Sequence, residues 1–288
     1  MSWRLVSYGA DGAERAGLEG EGEVYDVAAA SGGELPAAPA ELLAGEGWDA
    51  ALAAIELGAA EPVAGEPVRG APQPRPSKIL AVGLNYAEHS EESGAETPER
   101  PLLFAKWPSA IVGPDATVTL PPASAQVDYE AELAVVIGRR ASGVPVKSAL
   151  AHVGGYTIAN DVSARDVQFR DVQWTLGKSF DGFCPLGPAI VSAATLPDPQ
   201  AVAIEAVVNG ELRQSASTAE MVFGVAELIA YISAHVTLLP GDLILTGTPS
   251  GVGLGFDPPR WLADGDEVVC RIAGVGELRT RFRAGGAG

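Results

Sequence analysis

Residues 126–138 read QVDYEAELAVVIG and set Asp128, Glu130 and Glu132 two positions apart. Alternate residues of a strand share a face, so the three carboxylates would point one way, beside the apolar LAVVIG run. Like charges that close repel and raise one another's pKa. A divalent cation turns that repulsion into attraction, and oxygen-only donors at this density suit Mg2+, Mn2+ or Ca2+ rather than zinc. The plainer alternative is an edge strand with one or two of the acids in water. Asp161, at the end of the apolar run in YTIANDVSARDVQ (156–168), offers a further carboxylate, and would serve equally as the N-cap of a following helix. Arg165, four residues on, could pair with Asp161 or grip a substrate carboxylate.

A second constellation is GLNYAEHSEESG (83–94), where His89 and Glu92 are three apart. On a helical turn they meet, and a carboxylate beside an imidazole fixes its tautomer and raises its basicity, as general-base work on water requires. The alternative is a solvated surface pair. His152 and His235 read as structural. Lys178, in QWTLGKSFDGFCPLGP (173–188), is one of few cations in an acidic chain, either a surface lysine or a charge balance for the acids. In TGTPSGVGLG (246–255) the spacing is G-x-G-x-G with no Walker lysine and no surrounding βαβ unit, which excludes nucleotide binding. It leaves a Gly/Thr loop that could approach a small ligand with its N–H groups and Thr248. No G-x-S-x-G elbow supports a serine hydrolase.

The elements that must carry these residues are mostly strands. Residues 3–8 and 22–28 read as short strands, and 39–58 as helix broken near Gly45 and Gly47. Residues 61–77, with five prolines, read as a linker, which sets a boundary near residue 75. Beyond it KILAVGLNY (78–86) and VGGYTIANDVSA (153–164) are buried strands ending in polar residues. Asn209-Gly210 marks a hairpin turn, and 218–236 is the one long helix candidate. The expected fold is mixed α/β and predominantly β, with a small N-terminal α/β domain and Pro-rich linker over 1–75 and a catalytic domain over 76–288.

Across 288 residues the formal charge is −18. Nucleic acid and anionic membrane surfaces are therefore excluded as partners, and an anionic substrate needs local positive charge. Two cysteines, Cys184 and Cys270, exclude a zinc–cysteine site and a disulfide framework, in keeping with a cytoplasmic protein. The opening MSWRLVSYGADG lacks the basic and apolar regions of a secretory signal, and no apolar run is long enough to span a bilayer.

Taken in order, KILAVGLNYAEH, DYEAELAVVIGR, GGYTIANDVSARDVQ, WTLGKSFDGFCPLGP, VNGELRQ and LTGTPSGVG resemble the fumarylacetoacetate hydrolase family over about residues 78–280. The resemblance implies a β-rich roll, a homodimer, and a bacterial member of the acylpyruvate hydrolase or 2-keto acid type serving aromatic compound catabolism. It implies Glu130, Glu132 and Asp161 as ligands of Mg2+ (Mn2+ or Ca2+ as alternatives), with Asp128 in the motif but not a ligand. It implies His89, Glu92 and Lys178 as catalytic groups, and Arg165, Gln168 and Thr248 as substrate contacts. The expected reaction is hydrolysis of a C–C bond in a small anionic acylpyruvate or β-diketo acid. Oxaloacetate decarboxylation, or isomerisation or hydration of 2-keto-enoic acids, is the alternative use of the same site.

Overall fold

Unbroken apolar runs form strands covered on both faces, and AELAVVI at Ala131–Ile137 is one, with all seven residues buried. The protein is described by a computed structural model over residues 2–10 and 12–285. Ala131–Ile137 lies inside a large sheet, antiparallel to Val153–Asn160 on one side and to Leu243–Leu245 on the other. From edge to edge the order is Glu23–Asp26, Arg15–Gly20, Arg4–Tyr8, Cys184–Ser192, Val153–Asn160, Ala131–Ile137, Leu243–Leu245, Ile79–Gly83 and Leu102–Lys106. A second sheet runs Glu211–Ser217, Ala203–Val208, Glu267–Ile272, Gly276–Ala284 and Thr117–Leu120. Strand dominates, as the sequence patterning requires.

The two-residue period divides the core. Leu133, Val135 and Ile137 pack with Ile204, Ala206, Val268 and Leu278 of the second sheet. Ala134 and Val136 face the other way, into a core built with Leu5, Leu43, Trp48 and Phe104. Residues from 1–75 thus share the core of the larger sheet, and Arg4–Tyr8 pairs directly with Cys184–Ser192. The Trp48 indole N–H also reaches the carbonyl of Ile137 at 3.2 Å. The Pro-rich stretch 61–77 contributes only the two-residue strand Arg69–Gly70.

Several local expectations hold. The 39–58 helix divides into Pro39–Ala44 and Trp48–Ala53, with Gly47 left-handed at φ 72°. Asn209 and Gly210, at φ 51° and 81°, make the hairpin turn between Ala203–Val208 and Glu211–Ser217. Others are corrected. The leading segment holds a third strand, Arg15–Gly20, whose Ala and Gly content hid it. The helix expected over 218–236 is only Val225–Ser233. Ser217 and Glu220 cap a separate turn, Thr218–Glu220, and Glu227 accepts the Gly224 N–H to start a new helix. Among the described residues no helix is long and apolar enough to cross a membrane.

Candidate active site

The sheet gathers the chemistry at one end. Antiparallel pairing sets Ala131 opposite Asn160, so the chain leaving Val153–Asn160 passes the start of Ala131–Ile137. Asp161 therefore arrives beside Glu130, its N–H bonded to the Glu130 carbonyl at 2.8 Å. Glu130, Glu132 and Asp161 each offer a carboxylate oxygen within 4.8 Å of the others, and all three are buried. Tyr129 and Ala131 turn into the opposite core with Leu133, as strand alternation demands. The strand itself is interrupted: Val127–Asp128 pairs separately with Ser163–Ala164. Leu243–Leu245 and Ile79–Gly83 run parallel and release the 246–255 and 84–94 segments at this same end.

Three cations face the acids. Lys178 Nζ donates to Glu130 Oε2 at 2.7 Å and to Asp161 Oδ2 at 2.9 Å. Arg165 places Nη1 2.7 Å from Glu130 Oε1, and Nε 2.9 Å and Nη2 2.8 Å from Asp128 Oδ2. Its pairing with Asp161 does not form, because residues 163–164 are extended and the short helix begins only at Arg165. For the same reason Ala164, not Asp161, is the N-cap. The third cation, Lys106, went unrecognised in the sequence. It is buried and donates to Asp161 Oδ1 at 2.6 Å. Its signal was one charge at the end of PLLFAKW, between Phe104 and Trp107.

These surroundings split the acids. Burial lifts the Glu130 carboxyl, but Lys178 and then Arg165 outweigh it and hold it below the ordinary carboxylate range. Glu132 goes the other way: burial first, then Asp161 and Glu130, push it well above the ordinary value. Its bonded partner is the Gly247 N–H at 2.7 Å, and no lysine or arginine among the described residues pairs with it. A buried carboxylate with no cation of its own, beside two others, fits an oxygen-ligated divalent ion. Lys178 titrates above the ordinary lysine range: burial lowers it, and Asp161 and Glu130 more than reverse that.

His89 and Glu92 sit on the short helix Ala87–Glu92, with Nδ1 and Oε2 3.2 Å apart. Glu92 Oε1 accepts the Gly251 N–H at 2.8 Å. With Nδ1–H donating to Glu92, the imidazole lone pair stands on Nε2. Asn85 anchors the preceding turn, bonding the Thr246 carbonyl at 2.7 Å and both backbone groups of Phe223.

The 246–255 loop uses its N–H groups on the protein's own acids rather than on a ligand. Gly247 serves Glu132, Gly251 serves Glu92, and Gly253 and Leu254 serve Asp128 at 2.7 and 3.1 Å. Asp128 is thus a clasp between this loop and Arg165. Thr248 Oγ1 donates to the Ala131 carbonyl and accepts from Gln214. Gln168 accepts from Arg165 Nη1 at 3.1 Å. His89, Glu130, Glu132, Arg165, Gln168, Lys178 and Thr248 all border one pocket, and Phe104 and Trp174 form an apolar wall. Gly83 makes room for that wall, since a Cβ there would stand 2.5 Å from the Trp174 ring.

Comparison with known proteins supplies the kinship. The model of the fumarylacetoacetate hydrolase C-terminal domain matches residues 78–283. The mitochondrial oxaloacetate tautomerase Fahd2a of Rattus norvegicus is 51% identical over 209 residues, covering 72% of this chain and 67% of that protein. The solved structure of a fumarylacetoacetate hydrolase from psychrophilic Exiguobacterium antarcticum superposes with a TM-score of 0.86 at 38% identity, covering 98% of this chain and 100% of that one. A 5-carboxymethyl-2-hydroxymuconate delta-isomerase from Mycobacterium smegmatis gives 0.77 at 36%, covering 99% and 100%. Relatives named hydrolase, isomerase and tautomerase meet on this one fold, and the chain belongs to their enzyme family, the fumarylacetoacetate hydrolase family.

Proposed function

We propose that the protein moves a proton at the carbon next to the carbonyl of a small 2-keto acid, passing through the enolate, in the manner of a tautomerase or isomerase. The observation that carries this is a base held by an orienting carboxylate, His89 bonded to Glu92, bordering the same pocket as Glu130 and Glu132 of the acid triad. The identity to a protein named as an oxaloacetate tautomerase supports it. Glu130, Glu132 and Asp161 would hold a divalent cation, which when bound supplies Lewis-acid polarisation of the keto acid's oxygens. His89 Nε2 takes the proton from carbon and returns it to the product. Glu92 keeps the imidazole in the tautomer that leaves Nε2 free. Lys178 and Arg165 stabilise the negative charge as it develops, inside a buried site where that charge is felt strongly.

Hydrolytic C–C cleavage of an acylpyruvate is the second reading, favoured by the same dyad, since an oriented imidazole can equally deprotonate a water. Both readings are tested by following enol ultraviolet absorbance of oxaloacetate, acetylpyruvate and fumarylpyruvate with Mg2+, Mn2+ or EDTA, with products weighed by mass spectrometry. Metal-dependent keto–enol exchange with unchanged mass is the expected result. Cleaved products would select the hydrolase reading, loss of carbon dioxide would select decarboxylation, and no metal-dependent change in any of the three would overturn enolate chemistry.

A further inference from the structure

Lys106 ends the apolar strand Leu102–Lys106, at the edge of the large sheet. The residue is 1% exposed and does not border the pocket. Its three donors are fully spent, on Asp161 Oδ1, on the Val162 carbonyl at 3.3 Å and on the Lys178 carbonyl. It therefore has nothing to offer a substrate directly. Burying an ammonium is costly, and an apolar side chain is the cheaper way to end such a strand. What Lys106 adds that a neutral residue would not is charge.

The buried cluster holds four carboxylates, Asp128, Glu130, Glu132 and Asp161, against three cations, Lys106, Arg165 and Lys178. With all four carboxylates ionised it carries one net negative charge, and one net positive charge once a dication is added. Without Lys106 the loaded site would be neutral. Lys106 also occupies Asp161 Oδ1, while Oδ2 is the oxygen shared with Glu130 through Lys178.

We propose that Lys106 is a positioning residue that sets the charge of the site. It turns Asp161 so that Oδ2 faces the cation, and it keeps the loaded site net positive. Cation affinity is thereby reduced, and an anionic keto acid is drawn in. The inference rests on the metal-assisted reading above and adds a task for a residue outside the pocket.

The test uses the full chain as wild type, Lys106→Gln, which keeps a donor without the charge, and Lys106→Arg, which keeps the charge. Mn2+ affinity is measured by titration without substrate, and KM and kcat with oxaloacetate. Removing one charge at this range in a buried site changes each binding constant by about tenfold or more. Lys106→Gln should bind Mn2+ about tenfold more tightly and show a KM about tenfold higher, with kcat within a few-fold. Lys106→Arg should return both towards wild type. A purely structural lysine would weaken both constants together, and that outcome, or no change in either, overturns the inference. If Lys106→Gln does not fold, a folded Lys106→Arg that moves either constant more than about tenfold overturns it too. Wild type that binds no Mn2+ sinks the metal-assisted reading itself. Mn2+ binding in wild type with both constants weakened in Lys106→Gln sinks only the role of Lys106.

Discussion

Gly255 packs against the dyad so closely that one methyl group should disarm it. A Cβ at this position would stand 2.1 Å from Glu92 Oε1, 2.2 Å from Cδ and 2.3 Å from Cγ. The backbone of Gly255 is outside the left-handed region, so alanine adds no strain of its own. The yielding partner is then the flexible glutamate, whose carboxylate must retreat by about 1.3 Å to reach ordinary contact. The His89–Glu92 bond is already 3.2 Å long and tolerates only about 0.3 Å more before it ceases to be a hydrogen bond. Gly255→Ala therefore severs Glu92 from His89 and from the Gly251 N–H. An imidazole without its orienting carboxylate gives up much of a general base's contribution, and kcat should fall about 100-fold with KM nearly unchanged. The fold loses both hydrogen bonds of a part-exposed carboxylate, together about 1–2 kcal/mol, which lowers Tm by about 2–4 °C. Steady-state enol absorbance and differential scanning fluorimetry measure the two effects. The double variant with His89→Ala should be no slower than His89→Ala alone, because both act on one dyad. Wild-type kcat in a folded Gly255→Ala protein would refute the reasoning that Glu92 arms His89.

Glu132→Gln should abolish Mn2+ binding yet raise the Tm of metal-free protein at pH 8. Burial, Asp161 and Glu130 raise this carboxyl, so its contribution to folding is present below the unfolded carboxylate pKa and is lost as pH rises through the folded one; a lower Tm than wild type at that pH would contradict the assignment. Asp128→Asn strips charge from the clasp on Arg165, Gly253 and Leu254, and urea unfolding should register a loss of about 3 kcal/mol; a loss under about 1 kcal/mol would mean the clasp is slack. Asp26 tests linkage far from the site. Burial raises it, but Arg15, Tyr8 and the Ala29 N–H together hold it at about 2, below its ordinary 3.8. Discounted for solvent screening at this partly exposed pair, that depression is worth about 1 kcal/mol of stability above pH 4, lost as pH falls towards 2. Stability of Asp26→Asn measured across this window should be flatter than that of wild type, and parallel curves would refute the shift.

The legible parts of the site were those written in local periodicity. Glu130 and Glu132 were readable because a two-residue spacing led straight into a buried strand, and His89–Glu92 because three residues make a helical turn. Asp161 was readable as a polar residue ending an apolar run. What stayed hidden depends on contacts between distant segments. Asp128 had a place in the motif but no task, because two of its partners, Gly253 and Leu254, come from far along the chain. Lys106 went unrecognised because nothing local distinguishes an ammonium that stays in water from one that reaches Asp161. The i, i+4 logic offered Arg165 to Asp161, and it failed because that logic holds only in a helix, which starts after both are already apart. The Gly/Thr loop was legible as a loop, but the destination of its N–H groups was not.

The position of Leu243–Leu245 has a consequence for how the protein is made. This strand is synthesised late, yet it lies between Ala131–Ile137 and Ile79–Gly83, two strands made long before it. Until it emerges from the ribosome, two central strands present bare apolar edges with unpaired backbone groups, the kind of surface that recruits other chains. Pairings so far apart in sequence also form slowly. A nascent chain stopped short of Leu243 is then a candidate for chaperone capture or aggregation rather than a weaker enzyme, and expression yield should depend more on the rate of translation through this strand than on the stability of the finished fold.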